Sequence, residues 1–368
     1  MKLLKNVGLV ALGATSAAIA GFGGRYATRL KSLGTLKQHT NYADGYNLYS
    51  MKVCYKYNLN RILESNITDN DSFINAIIQE SAPHLPVKME APNFACSAFT
   101  LNRACEGATE NESNAVLMGR NYDFKFDTSA LVVECSPKNG YKSIALAALN
   151  NVHADNPMQN AKKRLACLGA PFICLDGVNE CGVSIAVLTL DSNPVNQCSG
   201  KRKITTSLAI RLVLDRASTT KDAIELLSEY DMFATSGRDY HFYISDAAGN
   251  GCVVEWDPLD SGRKMIVTPM RAITNFYAAY KDKVKPNQKN GMFGHGKERY
   301  LAIENVLGAK ENMSNVQCAW KALHASAQEP NPQDITSNTQ WSAVYNNECP
   351  SVCVALRRHW DDKHTFSL

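Results

Sequence analysis

Apolar and polar positions follow two different periods along this chain, and the places where the period changes mark out its elements. Val7 to Ala20 is apolar or small throughout. Later, Phe73, Ile74, Ile77 and Ile78 recur at helical spacing behind Asp71 and Ser72, which read as the cap, and Pro83 and Pro86 stop the helix. After Cys96 the pattern changes to strands. Cys96–Thr100 and Ala115–Tyr122 predict a hairpin around a polar loop from Cys105 to Asn114, and Leu131–Glu134 and Ser143–Leu149 predict further strands. From Thr206 the helical period returns: Leu208, Leu212 and Val213 line one face, then Ala223, Ile224, Leu227 and Tyr230 another. Tyr240–Ile244 and Val253–Trp256 flank Asn250-Gly251, a hairpin signal. Two last helices carry Tyr300, Ile303 and Leu307, and Val316, Trp320 and Leu323. Helices grouped between blocks of antiparallel strands predict an α+β fold, and periodicity alone goes no further.

Composition adds a size and a direction. With 368 residues, 45% hydrophobic and 20% charged, the chain has ample length for a sizeable core. A net charge of +4 is too mild to imply a nucleic-acid partner. The charge is uneven, however: no Asp or Glu precedes Asp44, whereas Lys2, Lys5, Arg25, Arg29, Lys31 and Lys37 do. Residues 1–24 read as a targeting segment, with Lys2 and Lys5 ahead of the apolar run and Ala18-Ile19-Ala20 as a small-x-small cleavage site. The run is shorter than the roughly 20 residues of a span and holds Thr15 and Ser16. A cleaved signal peptide is therefore favoured over a membrane anchor, which predicts export, with an organelle transit peptide as the alternative. Membrane association through this segment and a homo-oligomer both stay open. Residues 25–95 read as a pro-segment that ends in an extended strip from Lys88 to Asn93. The alternative is an ordinary N-terminal subdomain that is never cut. Asn66, Asn70, Asn111 and Asn312 stand in Asn-x-Ser/Thr sites, which matter in a secretory route.

Twelve cysteines form an even number, yet a chain of this length does not need disulfides to fold. Cys167, Cys174 and Cys181 lie seven apart and Cys349 and Cys353 four apart, with no Cys-x-x-Cys and no paired histidine motif. We expect core thiols or occasional disulfides, and neither metal nor cofactor. A Gly-x-Ser-x-Gly elbow, a P-loop and a dinucleotide fingerprint are all missing.

The informative motifs come in one order. Phe94-Ala95-Cys96-Ser97-Ala98-Phe99 precedes Leu117-Met118-Gly119-Arg120-Asn121-Tyr122-Asp123; then follow Asp176-Gly177-Val178-Asn179-Glu180-Cys181-Gly182, His241-Phe242-Tyr243-Ile244-Ser245-Asp246 with Gly249 and Glu255, Ile273-Thr274-Asn275, Glu298-Arg299-Tyr300, and Gln340-Trp341-Ser342-Ala343-Val344-Tyr345. Together they resemble the choloylglycine hydrolase family of linear amide C–N hydrolases, over residues 96–368. The resemblance implies a four-layer αββα N-terminal-nucleophile (Ntn) hydrolase sandwich. It also implies autocatalytic cleavage of the Ala95–Cys96 bond, so that Cys96 becomes the first residue of the working enzyme.

A cysteine there carries a nucleophile and a base on one residue, because an α-amine titrates near about 8 and a thiol near about 8.5. The resemblance gives Asp123 the amine, brings Arg120 to the nucleophile, and makes Arg299 a further site residue. Arg120 and Asp123 stand at i and i+3, so the strand must bend or end for both to reach Cys96. Asn275 is the candidate oxyanion donor through its carboxamide, and a backbone N–H, at Thr189 by ungapped counting from Asn179, is the second. Asn179 and His241 read as structural. The implied substrate is a small N-acyl amide with an apolar, fatty-acyl-like group, split through a Cys96 thioester. Two alternatives stay open: an acyltransferase with an amine acceptor, and a non-catalytic exported binding protein.

Overall fold

The computed structural model describes residues 26–83, 95–102, 115–234, 237–289, 291–309, 313–331, 333–334 and 337–368. The targeting segment at 1–24, the strip from Lys88 to Asn93 and the loop from Cys105 to Asn114 lie outside the described residues. The strands, in chain order, are β1 (Lys37–Gln38), β2 (Leu48–Lys52), β3 (Ala95–Leu101), β4 (Leu117–Asp123), β5 (Ala130–Cys135), β6 (Ser143–Ala148), β7 (Cys174–Asn179), β8 (Ser184–Leu190), β9 (Lys203–Thr205), β10 (Asp231–Phe233), β11 (Asp239–Ser245), β12 (Gly251–Trp256), β13 (Met265–Pro269), β14 (Ala272–Ile273), β15 (Thr339–Asn346), β16 (Ser351–Leu356) and β17 (Lys363–Ser367). The helices are α1 (26–34), α2 (Leu59–Leu63), α3 (Asn70–Ser81), α4 (Ala161–Ala166), α5 (Thr206–Arg216), α6 (Thr220–Ser228), α7 (Lys297–Gly308) and α8 (Asn315–Ser326).

Two sheets stack face to face. One has the order β14-β3-β4-β15-β16-β17 and the other β1-β2-β5-β6-β7-β8-β11-β12-β13, while β9 and β10 form a small parallel pair. Helices α7 and α8 cover the outer face of the first sheet, and α5 and α6 that of the second, which makes the four-layer αββα sandwich. Strand alternation assigns the two faces of β3 and β4. Cys96, Ala98, Met118 and Tyr122 join the core between the sheets, and Phe99, Leu101 and Leu117 pack under α7 and α8. Both faces are buried, so these strands lack the polar face of an open sheet. Gly119 is needed here because the Phe99 ring lies across it: a Cβ would stand 2.2 Å from the ring.

The expected hairpin forms, with Cys96 opposite Tyr122 and Ala98 opposite Arg120, as does the β11–β12 pair around Asn250. Two helix details differ from expectation. The cap of α3 is Asp69, whose carboxylate accepts the Ser72 N–H at 2.8 Å while the Ser72 hydroxyl accepts from Asp69 N–H at 3.1 Å; a cap sits three residues before its N–H partner, which puts Asp71 inside the first turn. In α8 the buried stripe is Cys318, Ala319, Ala322 and Leu323, while Val316 and Trp320 lie at its rim, where Trp320 meets the Trp360 ring edge-on. The cysteines among the described residues are all free thiols.

The segment read as a removable pro-segment is built into the core. Strand β2 pairs in parallel with β5, from Leu48 opposite Ala130 to Lys52 opposite Glu134, and Leu48, Tyr49 and Met51 are buried. Tyr57 donates to the Asp215 carboxylate at 2.9 Å and Tyr42 to that of Asp362 at 2.7 Å. Losing this segment would strip large side chains from the core, each worth about 1.5–3 kcal/mol.

Candidate active site

The site gathers at the start of β3. Cys96 is fully buried, with its sulfur on the inter-sheet face. Burial pushes its thiol up to about 12, against the opposing pull of the Arg120 guanidinium and the Asp123 main-chain N–H. While the Ala95–Cys96 peptide is intact the Cys96 nitrogen is a donor only, and it gives its hydrogen to Asn275 Oδ1 at 3.2 Å.

Arg120 and Asp123 flank Cys96 from opposite faces of the sheet, as the alternation of β4 requires. Arg120 points between the sheets, donates to the Val187 carbonyl at 3.1 Å and is ion-paired with Asp176 of β7. Burial works against its charge, but the Cys96 sulfur and the Asp176 carboxylate outweigh that and hold its pKa above the ordinary arginine value. Asp176 is in turn held by the Tyr345 hydroxyl and, at 3.2 Å, by Trp341 Nε1. Asp123 is the last residue of β4, so the strand does end there, and the facing strand bulges between Thr339 and Trp341. Its carboxylate accepts from Thr339 Oγ1 at 2.6 Å and Gln328 Nε2 at 2.9 Å, and meets Arg299 Nη1 at 3.5 Å. Burial raises the Asp123 carboxyl, and Arg299, Thr339 and Gln328 oppose the rise.

Asn275 is delivered by β14, whose pairing of Ile273 with Ala98 runs the next residues alongside Cys96. Its Oδ1 also accepts from Arg299 Nη2 at 2.6 Å, and its Nδ2 donates to the Thr189 carbonyl at 2.9 Å. Arg299, in the first turn of α7, is 7% exposed and donates from Nη1 to the Cys96 carbonyl at 3.2 Å. It fits because α7 starts at Gly296, φ 82°, where a Cβ would stand 2.5 Å from Nη2.

Cys96, Asp123, Asn275 and Arg299 are thus joined in one hydrogen-bonded cluster, and Arg120 reaches the sulfur from the other side. Thr189 meets the cluster through its carbonyl, an acceptor, whereas the sequence reading uses its N–H. Asn179 staples the β7–β8 turn and the end of α5, accepting from Val183 N–H at 3.0 Å and donating to the Ala217 carbonyl at 2.7 Å. His241 pairs with Glu255 at 3.4 Å inside the core. Sequence reasoning missed Asp176, Thr339 and Gln328. A carboxylate in the apolar run Phe172–Val178 signals a buried partner for Asp176; nothing local marks the other two. Among the described residues no three His, Cys, Asp or Glu side chains converge as a metal ion would need.

Fold and site define a class first: an Ntn-hydrolase-type sandwich with a cysteine at the start of an inner strand, β3. Similar solved structures have this fold. A penicillin V acylase from Agrobacterium tumefaciens is 16% identical, with a TM-score of 0.52 over 74% of this chain and 86% of its own. A variant of the conjugated bile acid hydrolase from Clostridium perfringens is 15% identical, with a TM-score of 0.51 over 74% and 92%. At such identities the likeness is one of fold. In sequence, residues 105–275 match the model of the linear amide C–N hydrolases, choloylglycine hydrolase family. The matched stretch holds Arg120, Asp123, Asp176, Thr189 and Asn275, while Cys96 and Arg299 lie outside it. This chain is therefore similar to the choloylglycine hydrolase family in sequence over residues 105–275 as well as in fold, and the sequence match supports a linear amide C–N hydrolase. No curated protein matches the chain.

Proposed function

We propose that this chain is a cysteine-type Ntn amidase that hydrolyses the C–N bond of an N-acyl amide with an apolar acyl group. The reading rests on one observation: a thiol, a carboxylate, a carboxamide and two guanidiniums converge on a single strand end, beside the peptide bond whose scission would free the α-amine of the thiol-bearing residue itself.

Maturation comes first. The Cys96 sulfur attacks the Ala95 carbonyl carbon, the C–N bond of that peptide breaks, and water hydrolyses the resulting ester of sulfur. The Asn275 bond to Cys96 N–H and the Arg299 bond to its carbonyl orient the scissile unit. The freed amine, with an ordinary pKa near about 8, takes the thiol proton, and Arg120 favours the thiolate. In turnover the thiolate adds to the substrate carbonyl, and the Asn275 Nδ2 hydrogen that is not given to the Thr189 carbonyl stabilises the oxyanion, one such donor being worth about 3 kcal/mol. The Cys96 ammonium protonates the leaving nitrogen, and the amine then activates water to release the acid from the thioester. Asp123 and Arg299 keep the amine and the carboxamide in register.

Cutting need not mean release. The burial of Leu48, Tyr49 and Met51 supports a mature molecule of two pieces that stay together. Intact-mass analysis and N-terminal sequencing, with a panel of N-acyl amides, test the reading on the parent and on Cys96→Ala. We expect the parent to be cut, with Cys96 at the new terminus, and active, and Cys96→Ala to be uncut and inactive. Equal activity in the two would end it.

A further inference from the structure

The strip Gly294-His295-Gly296 runs between Asn275 and the start of α7, pairing across from Phe276. Both glycines have positive φ, 98° and 82°, and a Cβ on Gly294 would stand 2.1 Å from the Asn275 carbonyl oxygen. The strip therefore lies flat against Asn275, and its one side chain is His295. That histidine is 7% exposed. Its main-chain N–H donates to the Asn275 carbonyl at 2.8 Å, and its Nδ1 lies 2.5 Å from Asp191 Oδ2. Opposite a carboxylate, which only accepts, the ring nitrogen is the donor. The other Asp191 oxygen meets Arg238 Nη1 at 3.3 Å.

These contacts close a ring. Asp191 stands two residues after Thr189, whose carbonyl holds the Asn275 Nδ2 at 2.9 Å. One end of Asn275, its backbone, is thus held by His295, the other end, its carboxamide, by Thr189, and the His295–Asp191 bond ties the two holders together. We infer that His295 is a positioning residue for Asn275, acting through Asp191, in the amide hydrolysis proposed above, on which this inference rests. A hydrogen bond to a charged partner is about twice as strong as a neutral one. Without it the end of β8 and the Gly-His-Gly strip lose their direct side-chain tie, and the carboxamide loses part of what fixes its direction. A displacement of about 1 Å in such a group costs up to about a hundredfold in rate.

The test uses the full chain with two readouts, the rate of cleavage at Ala95–Cys96 by intact mass and the steady-state hydrolysis of N-palmitoyl-7-amino-4-methylcoumarin. Four variants are compared: His295→Leu, His295→Asn, Asp191→Ala and the double variant His295→Leu/Asp191→Ala. Asn is the informative replacement, because its Nδ2 falls where the histidine Nδ1 stands. We expect His295→Leu to lower kcat by about tenfold or more with KM within about twofold. His295→Asn should restore most of that loss, and the double variant should be no slower than Asp191→Ala, as two ends of one bond require. Cleavage should slow in the same order, a readout that holds whether or not the coumarin amide is accepted. If His295→Leu does not fold, His295→Asn and Asp191→Ala carry the comparison. A parent-like kcat and cleavage rate in His295→Leu or Asp191→Ala, no rescue by Asn, or losses that multiply in the double variant would overturn the inference. Cys96→Ala in the same assays keeps the two questions apart. If it matches the parent, the proposed function fails; if it is dead while His295→Leu is unimpaired, only the role of His295 does.

Discussion

Two arginine–carboxylate pairs flank Cys96, one on each face of the same sheet, and they are built differently. Arg120 and Asp176 meet between the sheets, fully buried and in direct ion contact, with Asp176 held by Tyr345 and Trp341. Arg299 and Asp123 meet on the helix side at 3.5 Å, and most of the Arg299 hydrogen-bonding capacity goes elsewhere, to the Cys96 carbonyl and Asn275. The first pair is a fixed charge aimed at a sulfur; the second is a hub that orients backbone and carboxamide. A buried pair contributes little net stability over an apolar replacement, yet breaking it strands a charge. The comparison teaches that the same two residue types can serve as field source or as scaffold, depending on how many other groups share the guanidinium.

Three measurements would break or sharpen that contrast. Asp176→Ala leaves Arg120 buried without its carboxylate and should cost about 3–5 kcal/mol in urea unfolding; a loss under about 1 kcal/mol would mean that Arg120 is not a committed half of an ion pair. Arg299→Met should be milder, about 1–3 kcal/mol, because Thr339 and Gln328 still satisfy Asp123, but it should slow cleavage of the Ala95–Cys96 bond, which loses its orienting donor. Intact-mass time courses at matched stability check this, and an unchanged cleavage rate would remove Arg299 from the hub.

The smallest effect is in pH dependence. Burial raises the folded Asp123 carboxyl above its unfolded value of about 3.9. Its contribution to stability is thus full below about 3.9 and is lost as pH rises through the raised folded value. Arg299 opposes the rise, so Arg299→Met should carry that loss to higher pH than in the parent. Stability profiles of the two proteins that superimpose from pH 3 to 7 would show that Asp123 does not sense Arg299.

Much of this could be read before any coordinates. The Cys96–Tyr122 hairpin, the β11–β12 pair and the α5 and α6 stripes came from periods of two and 3.6 and from turn residues. The motif order brought Cys96, Arg120, Asp123, Asn275 and Arg299 into one list, and the fold brings them to one place. Asp176, Thr339 and Gln328 were not legible as site partners. They are 56, 216 and 205 residues from the side chains they hold, and only Asp176, a carboxylate in an apolar run, carries a local sign of a buried partner. Trp320 lies on the apolar side of α8 as its spacing predicts, but at the rim of the core, because apolarity says that a side chain is covered and not which neighbours leave room for an indole.

What this sequence determined by itself is therefore local: where strands and helices begin, which residues share a face, and which chemistry-bearing groups are present. Those follow from interactions between residues a few positions apart, which any stretch of chain carries with it. Pairing across distance was decided only in three dimensions. Strand β2 enters the large sheet beside β5, Arg120 finds Asp176, and Thr189 turns its carbonyl toward Asn275, because hydrogen-bonded sheet order and close packing select one arrangement from the many that the local pattern permits.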